Sequence, residues 1–225
     1  MTTPPVDRVL LVPAPLVLAT RSSGKIRELM ALFAAHGVAV ETLDQLGLAE
    51  EAAESGIEIH DTFAANAEAK VRWFAARLDG RVVFAEDSGL EVDALDGAPG
   101  VQSKRWANPH LSGDALTAAN NAALLSALEG VETRRARYRC VAYCMSGNAC
   151  WTGEGRVEGT IAESARGSGG FGYDPLFEST ELGVTFAEAR PEEKARVSHR
   201  ARAVAALLES GGDALRTRAE ESATG

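Results

Sequence analysis

The chain has 225 residues, with 32 acidic against 23 basic side chains and a formal net charge of −9. That balance leaves no basic stripe for a nucleic-acid polymer, and no apolar run reaches the roughly 18 residues that a membrane span needs. With 45% hydrophobic residues it describes one globular domain with a substantial core, and a few local cations could still bind a small phosphorylated ligand.

In chain order, residues 1–15 carry an apolar patch broken by prolines, which suggests a flexible or strand-like extension rather than a signal peptide. Leu16 to Thr20 predicts a buried strand. Ile26, Leu29, Met30 and Phe33 then recur at helical spacing, and Gly37 closes that helix. Val38 to Leu43 can form a second strand. Phe63, Ala67, Val71, Phe74 and Leu78 make another helical stripe, with Thr62 near its N-cap and Asp79-Gly80 as its stop. Arg81 to Ala85 predicts a strand feeding an acidic turn, Glu86-Asp87-Ser88-Gly89. Asp114 to Leu128 is an alanine-rich helix, and Gly147-Asn148 joins Tyr138–Met145 to Ala149–Val157 as a hairpin. A last helix is expected from about Glu192 to Leu208, within a domain spanning 16–210, and the polar tail 211–225 is expected to fray. Strands alternating with helices, then a hairpin, predict an α/β fold with a mixed sheet.

Cys140, Cys144 and Cys150 are odd in number and fit no zinc spacing, so they read as reduced apolar thiols in a cytoplasmic setting.

Four segments could carry chemistry. Thr20-Arg21-Ser22-Ser23-Gly24-Lys25 lies at a strand-to-helix junction, where free N–H groups, hydroxyls and a lysine can cradle phosphate. It lacks the spacing of the common P-loop, and a plain capped helix start remains the alternative. Glu86-Asp87-Ser88 offers carboxylates that can hold magnesium and accept a proton, or simply a solvated turn. Glu58 could add an oxygen ligand and Lys70 a phosphate contact, although exposed Glu and Lys are the default on helices. Gly169 to Pro175, with Phe171, Gly172, Tyr173 and Asp174, is either a structural turn or an aromatic platform for a base. Lys194, Ser198, His199 and Arg200 can line one pocket if the helix ends or bends near Ser198. A lone histidine is more often structural, while the Arg200 fork suits a carbonyl or phosphate.

Together these segments resemble the inosine triphosphate pyrophosphatase family over about residues 16 to 208. The likeness rests on ATRSSGK at 19–25, TFAANA at 62–67, EDSGLEVDALDGAPGVQSKRWA at 86–107, GFGYDP at 170–175 and EEKARVSHR at 192–200. The resemblance implies an elongated mixed sheet flanked by helices, in two lobes with the active-site cleft between them. It implies a homodimer that uses magnesium to hydrolyse ITP, dITP and XTP to the monophosphate and pyrophosphate, clearing deaminated purines from the nucleotide pool. It makes Thr20 to Lys25 the triphosphate loop and Lys70 a second phosphate contact. Asp87 becomes proton acceptor and metal ligand, with Ser88 beside the substrate. Phe171 to Asp174 become the base segment, and Lys194, His199 and Arg200 the remaining contacts. Glu58 is the best match to an upstream metal-binding glutamate, with Glu54 as competitor and Glu86 a further possible ligand. A pyrophosphatase for another modified nucleotide, or a nucleotide-binding regulator without turnover, stays open beside this reading.

Four positions depart from the family pattern. Ser22 stands where asparagine is usual, Glu86 where the first of two aspartates is usual, Gln102 for a common tyrosine and Ala195 for a common asparagine. None removes a group the chemistry needs; they bear on metal geometry and base preference.

Overall fold

Six strands form one mixed sheet in the order β2-β1-β3-β4-β5-β6. They are β1 (Leu16–Leu18), β2 (Val40–Thr42), β3 (Val83–Val92), β4 (Arg135–Ser146), β5 (Ala149–Ile161) and β6 (Phe177–Ser179). The helices are α1 (Ser23–Ala35), α2 (Phe63–Ala75), α3 (Gly113–Ala127), α4 (Pro191–Val197) and α5 (His199–Glu221). The structure, a computed structural model, describes residues 14–108 and 110–221, the last ten of these by their backbone alone. The expected extension therefore lies almost wholly outside the described residues, as do the last four residues of the tail. Among the described residues no helix is long and apolar enough to cross a membrane.

β1 pairs parallel with both β2 and β3, and its continuous apolar run is buried throughout. β3 then pairs antiparallel with β4, and β4 with β5, along their whole lengths. Because successive side chains on β3 alternate faces, Phe84 joins a core with Phe33, Ala203 and Leu207, whereas Val83 and Ala85 pack with Val71 and Phe74. One face of the strand thus meets α1 and α5 and the other meets α2.

The expected hairpin and the Thr62 cap are present: Gly147 turns at φ 55°, and the Thr62 hydroxyl accepts the Ala65 N–H. Three expectations need correction. Glu86, Asp87, Ser88 and Gly89 are no turn; they lie mid-strand in β3, opposite Ala142, Val141, Cys140 and Arg139. Apolar runs on both sides pair with β4 and carry the polar residues through the sheet. Met30 is 41% exposed, because the buried face of α1 follows Leu29, Leu32 and Phe33. The final helix breaks at Ser198, where ψ is 152°, then continues as α5 to Glu221, past both the expected end at Leu208 and the glycines at 211 and 212. Ser198 closes α4 by donating its N–H to the Lys194 carbonyl, and its hydroxyl accepts the Ala201 N–H at the start of α5.

Candidate active site

Asp87 is 7% exposed at the middle of β3, on the α2 face. Its Oδ2 accepts the Asn66 amide at 3.0 Å and its Oδ1 accepts the Ser88 N–H at 3.0 Å. Burial raises its pKa; Lys25 and Lys70 oppose that shift, and the Glu58 charge reinforces it. Such a carboxylate is well placed to take up a proton.

Lys25 and Lys70 reach the same region from α1 and α2. Lys25 Nζ pairs with Glu86 at 3.2 Å, and Lys70 donates to the Glu86 carbonyl at 3.0 Å while bonding the Glu58 carboxylate. Burial alone would raise the Glu86 and Glu58 carboxyls, but the surrounding cations outweigh it and hold both below their usual range. Arg200 dominates at Glu86 and Lys70 at Glu58. Lys104 lies close enough to feel Glu58, Lys25 and Lys70; burial first, then the two lysines, lowers its pKa.

The break at Ser198 brings the third group inward. Lys194 Nζ sits between Asp174 at 2.5 Å and Glu28 at 2.6 Å. Arg200 gives its Nε to Glu86 at 3.0 Å, its Nη1 to Glu28 and its Nη2 to the Ser88 hydroxyl at 3.0 Å. His199 stacks on Tyr138 with ring centroids 4.6 Å apart, and its buried Nδ1 has no hydrogen-bond partner among the described residues. Burial, aided by Arg200 and Lys194, pushes His199 well below the ordinary imidazole range. Asp174 accepts the Phe171 N–H at 2.7 Å and is raised by its burial, against the pull of Lys194.

The glycine-rich segment closes over these groups. The Phe171 ring lies against Gly24, where an added Cβ would fall 2.6 Å from it, and the Lys194 Nζ stands 5.3 Å from the ring centroid. Gly172 takes φ 63° and its carbonyl accepts the Asn121 amide. Tyr173 turns into the core, its hydroxyl donating to the Ser103 carbonyl at 2.9 Å, so Phe171 rather than Tyr173 presents the flat face.

Most of the expected site residues therefore converge. Thr20, Ser22, Ser23, Gly24 and Lys25 form the start of α1, with Ser22 as its cap through the Lys25 N–H and Thr20 accepting the Ser22 N–H. Arg21 does not join them. It turns away to Glu54, Asp44 and the carbonyls of Leu48 and Ala49. The same contact ties Glu54 to Arg21, whereas Glu58 bonds Lys70 and acts on Asp87. Glu86, adjacent to Asp87, projects to the opposite face of the strand, where Arg200 and Lys25 hold it. Glu28, Asn66 and Lys104 were not singled out in the sequence; Glu28 sits one turn beyond Lys25, whereas Asn66 and Lys104 lie within the motif segments 62–67 and 86–107.

Among the described residues no group of three or more His, Cys, Asp or Glu side chains is gathered for a metal. Glu58 and Asp87 do interact electrostatically. Two carboxylates suit a hard cation that takes its other oxygens from water and phosphate, so these residues fit magnesium.

A model of the Ham1 family matches residues 16–210. A dITP/XTP pyrophosphatase of Geobacillus kaustophilus is 47% identical over 195 residues, covering 86% of this chain and 92% of that protein. The dITP/XTP pyrophosphatase of Bacillus subtilis is 37% identical over 192 residues, covering 85% and 93%. Among solved structures, the Staphylococcus aureus Ham1 protein superposes with a TM-score of 0.72 at 34% identity, covering 87% of this chain and 96% of that one.

Proposed function

The chain belongs to the Ham1 family, and on that premise we propose that it hydrolyses dITP, XTP and ITP to the monophosphate and pyrophosphate. The observation that carries the reading is a connected set of cations along β3: Lys25 and Lys70 act on the buried Asp87, Lys25 and Arg200 share Glu86, and Arg200 and Lys194 share Glu28. The enzyme is a hydrolase of a triphosphate anhydride bond and keeps the nucleotide pool free of deaminated purines.

The chemistry follows from the groups present. The N–H groups at the start of α1, with Thr20, Ser22, Ser23 and Lys25, bind the triphosphate, and Lys70 takes a second phosphate contact. Asp87 accepts the proton of the water that attacks the α-phosphorus, and Lys25 and Lys70 stabilise the departing pyrophosphate. Asp87 and Glu58 would hold magnesium, which when bound supplies charge neutralisation on the phosphate oxygens. Phe171 stacks on the base, with Gly172 and Asp174 shaping that segment. Donors from Arg200 and His199 face the six-position oxygen, so an adenine amino group would leave them unpaired. The reading carries with it a cleft between two lobes, a homodimer, and action in the cytoplasm, where free nucleotides are the substrate. It takes Arg21 out of the substrate contacts and keeps it as a tie behind the loop.

Product analysis tests the reaction. Purified protein with magnesium and ITP, dITP or XTP is expected to release pyrophosphate in step with the monophosphate. Release of orthophosphate alone, or binding without turnover, would overturn it.

A further inference from the structure

We infer that Asn66 is a positioning residue, which fixes the carboxylates of Glu58 and Asp87 relative to one another. This rests on the proposed metal role of those two carboxylates.

Asn66 lies just past the first turn of α2 and is 2% exposed. Its amide makes three hydrogen bonds. The oxygen accepts the His60 N–H at 2.9 Å, and the nitrogen donates to the His60 carbonyl at 3.2 Å and to Asp87 Oδ2 at 3.0 Å. The first two grip the backbone of His60 from both sides, two residues after Glu58. The third ends on Asp87 in the centre of the sheet. One planar group thus joins a segment without helix or strand of its own to β3, paired on both sides within the sheet.

The geometry needs an amide. A carboxylate at position 66 would keep the acceptor for His60 but lose the donor to Asp87 and set two negative charges face to face. A hydroxyl would be too short to reach both partners. Glu58 has other supports, in Lys70 on its carboxylate and Arg105 on its carbonyl at 3.0 Å, yet neither touches Asp87. Lys70 also bridges the Glu58 carboxylate to the Glu86 carbonyl on β3, but Asn66 is the side chain that bonds the Asp87 carboxylate itself and the Glu58 segment together. Groups that orient ligating carboxylates typically change metal affinity or activity about 10- to 100-fold when removed.

The test is Mn2+ binding to the full chain, followed by the electron paramagnetic resonance of the free ion. Wild type is compared with Asn66→Ala and the milder Asn66→Ser, with Asp87→Asn and Glu58→Gln as placement controls. Both controls are expected to lose Mn2+ binding. The Asn66 variants should weaken it about tenfold or more and raise the magnesium needed for half-maximal turnover by a similar factor. ITP binding in EDTA should stay within about threefold of wild type, since the phosphate and base contacts remain. Unchanged Mn2+ affinity in either folded Asn66 variant, while the controls lose theirs, overturns the inference alone. Controls that still bind Mn2+ like wild type remove the metal placement and the inference with it.

Discussion

Arg200 at the start of α5 and Glu86 in the middle of β3 are joined at 3.0 Å across 114 positions of sequence, both almost fully buried. The pair bolts the helix that follows the Ser198 break onto the strand that carries Asp87. A solvated helix face for Arg200 is thereby excluded.

Glu86→Gln keeps the shape of the side chain and deletes the charge that compensates Arg200 and Lys25. Removing one partner of a buried pair typically costs about 3–5 kcal/mol. Urea unfolding should show a loss in that range, and a loss under about 1 kcal/mol would mean that the pair does not hold α5 to the sheet.

Arg200→Lys retains a cation for Glu86 but loses the planar fork, which gives it less to offer a base. A hydrogen bond to the base is worth on the order of 1–3 kcal/mol, so the ITP-over-ATP preference in kcat/KM should shrink roughly 5- to 150-fold. An equal loss for both nucleotides would assign Arg200 to phosphate instead.

Asp87→Asn should lower turnover by at least ~100-fold with an unchanged melting temperature, because proton acceptor and metal ligand disappear together. Near-normal turnover in a folded variant would place the base elsewhere.

Arg21→Ala tests the residue that the structure moves out of the site. Its guanidinium secures the carbonyls of Leu48 and Ala49 and the Glu54 carboxylate at the surface of the fold. Melting should fall while kcat/KM for ITP stays within about threefold. A large rise in KM at unchanged stability would return Arg21 to the triphosphate.

His199 predicts a pH dependence of stability. The buried imidazole has a folded pKa well below the unfolded value of about 6.5, so below that pH the unfolded chain binds a proton that the folded chain does not. Stability should be undiminished by this group above about pH 6.5 and fall as the pH drops towards its folded pKa, by up to about 1.4 kcal/mol per unit. His199→Gln should flatten that slope between pH 6.5 and 5. An unchanged slope would assign the acid sensitivity to other groups.

What could be read from the chain alone is what local chemistry decides. Thr62 caps its helix and Gly147-Asn148 turns its hairpin because the contacts involved lie a few residues apart. The strand through Glu86 and Asp87 was hidden, since two carboxylates beside Ser-Gly favour a turn until β4 supplies a partner for every residue. Ser198 was legible as a place where the helix could break, but not as the cap of a second helix. Glu28 and Asn66 look like ordinary exposed helix residues; α4 and α5 give Glu28 its partners, and Asn66 turns inward to the His60 backbone and to Asp87 on β3. The placement of Arg21 was hidden for the opposite reason: its neighbours in sequence build the loop, whereas its own partners lie 23 to 33 positions away.

Each of the four cations of the candidate site already owns an internal counter-charge: Lys25 has Glu86, Lys70 has Glu58, Lys194 has Asp174 and Glu28, and Arg200 has Glu86 and Glu28. An incoming triphosphate therefore trades places with carboxylates instead of falling into bare positive potential, on a chain whose net charge is −9. Little long-range attraction is left to guide the encounter, so the association rate should respond weakly to added salt. Discrimination is then exercised at contact, as ligands whose shape and charge match the vacated partners complete the exchange and others leave.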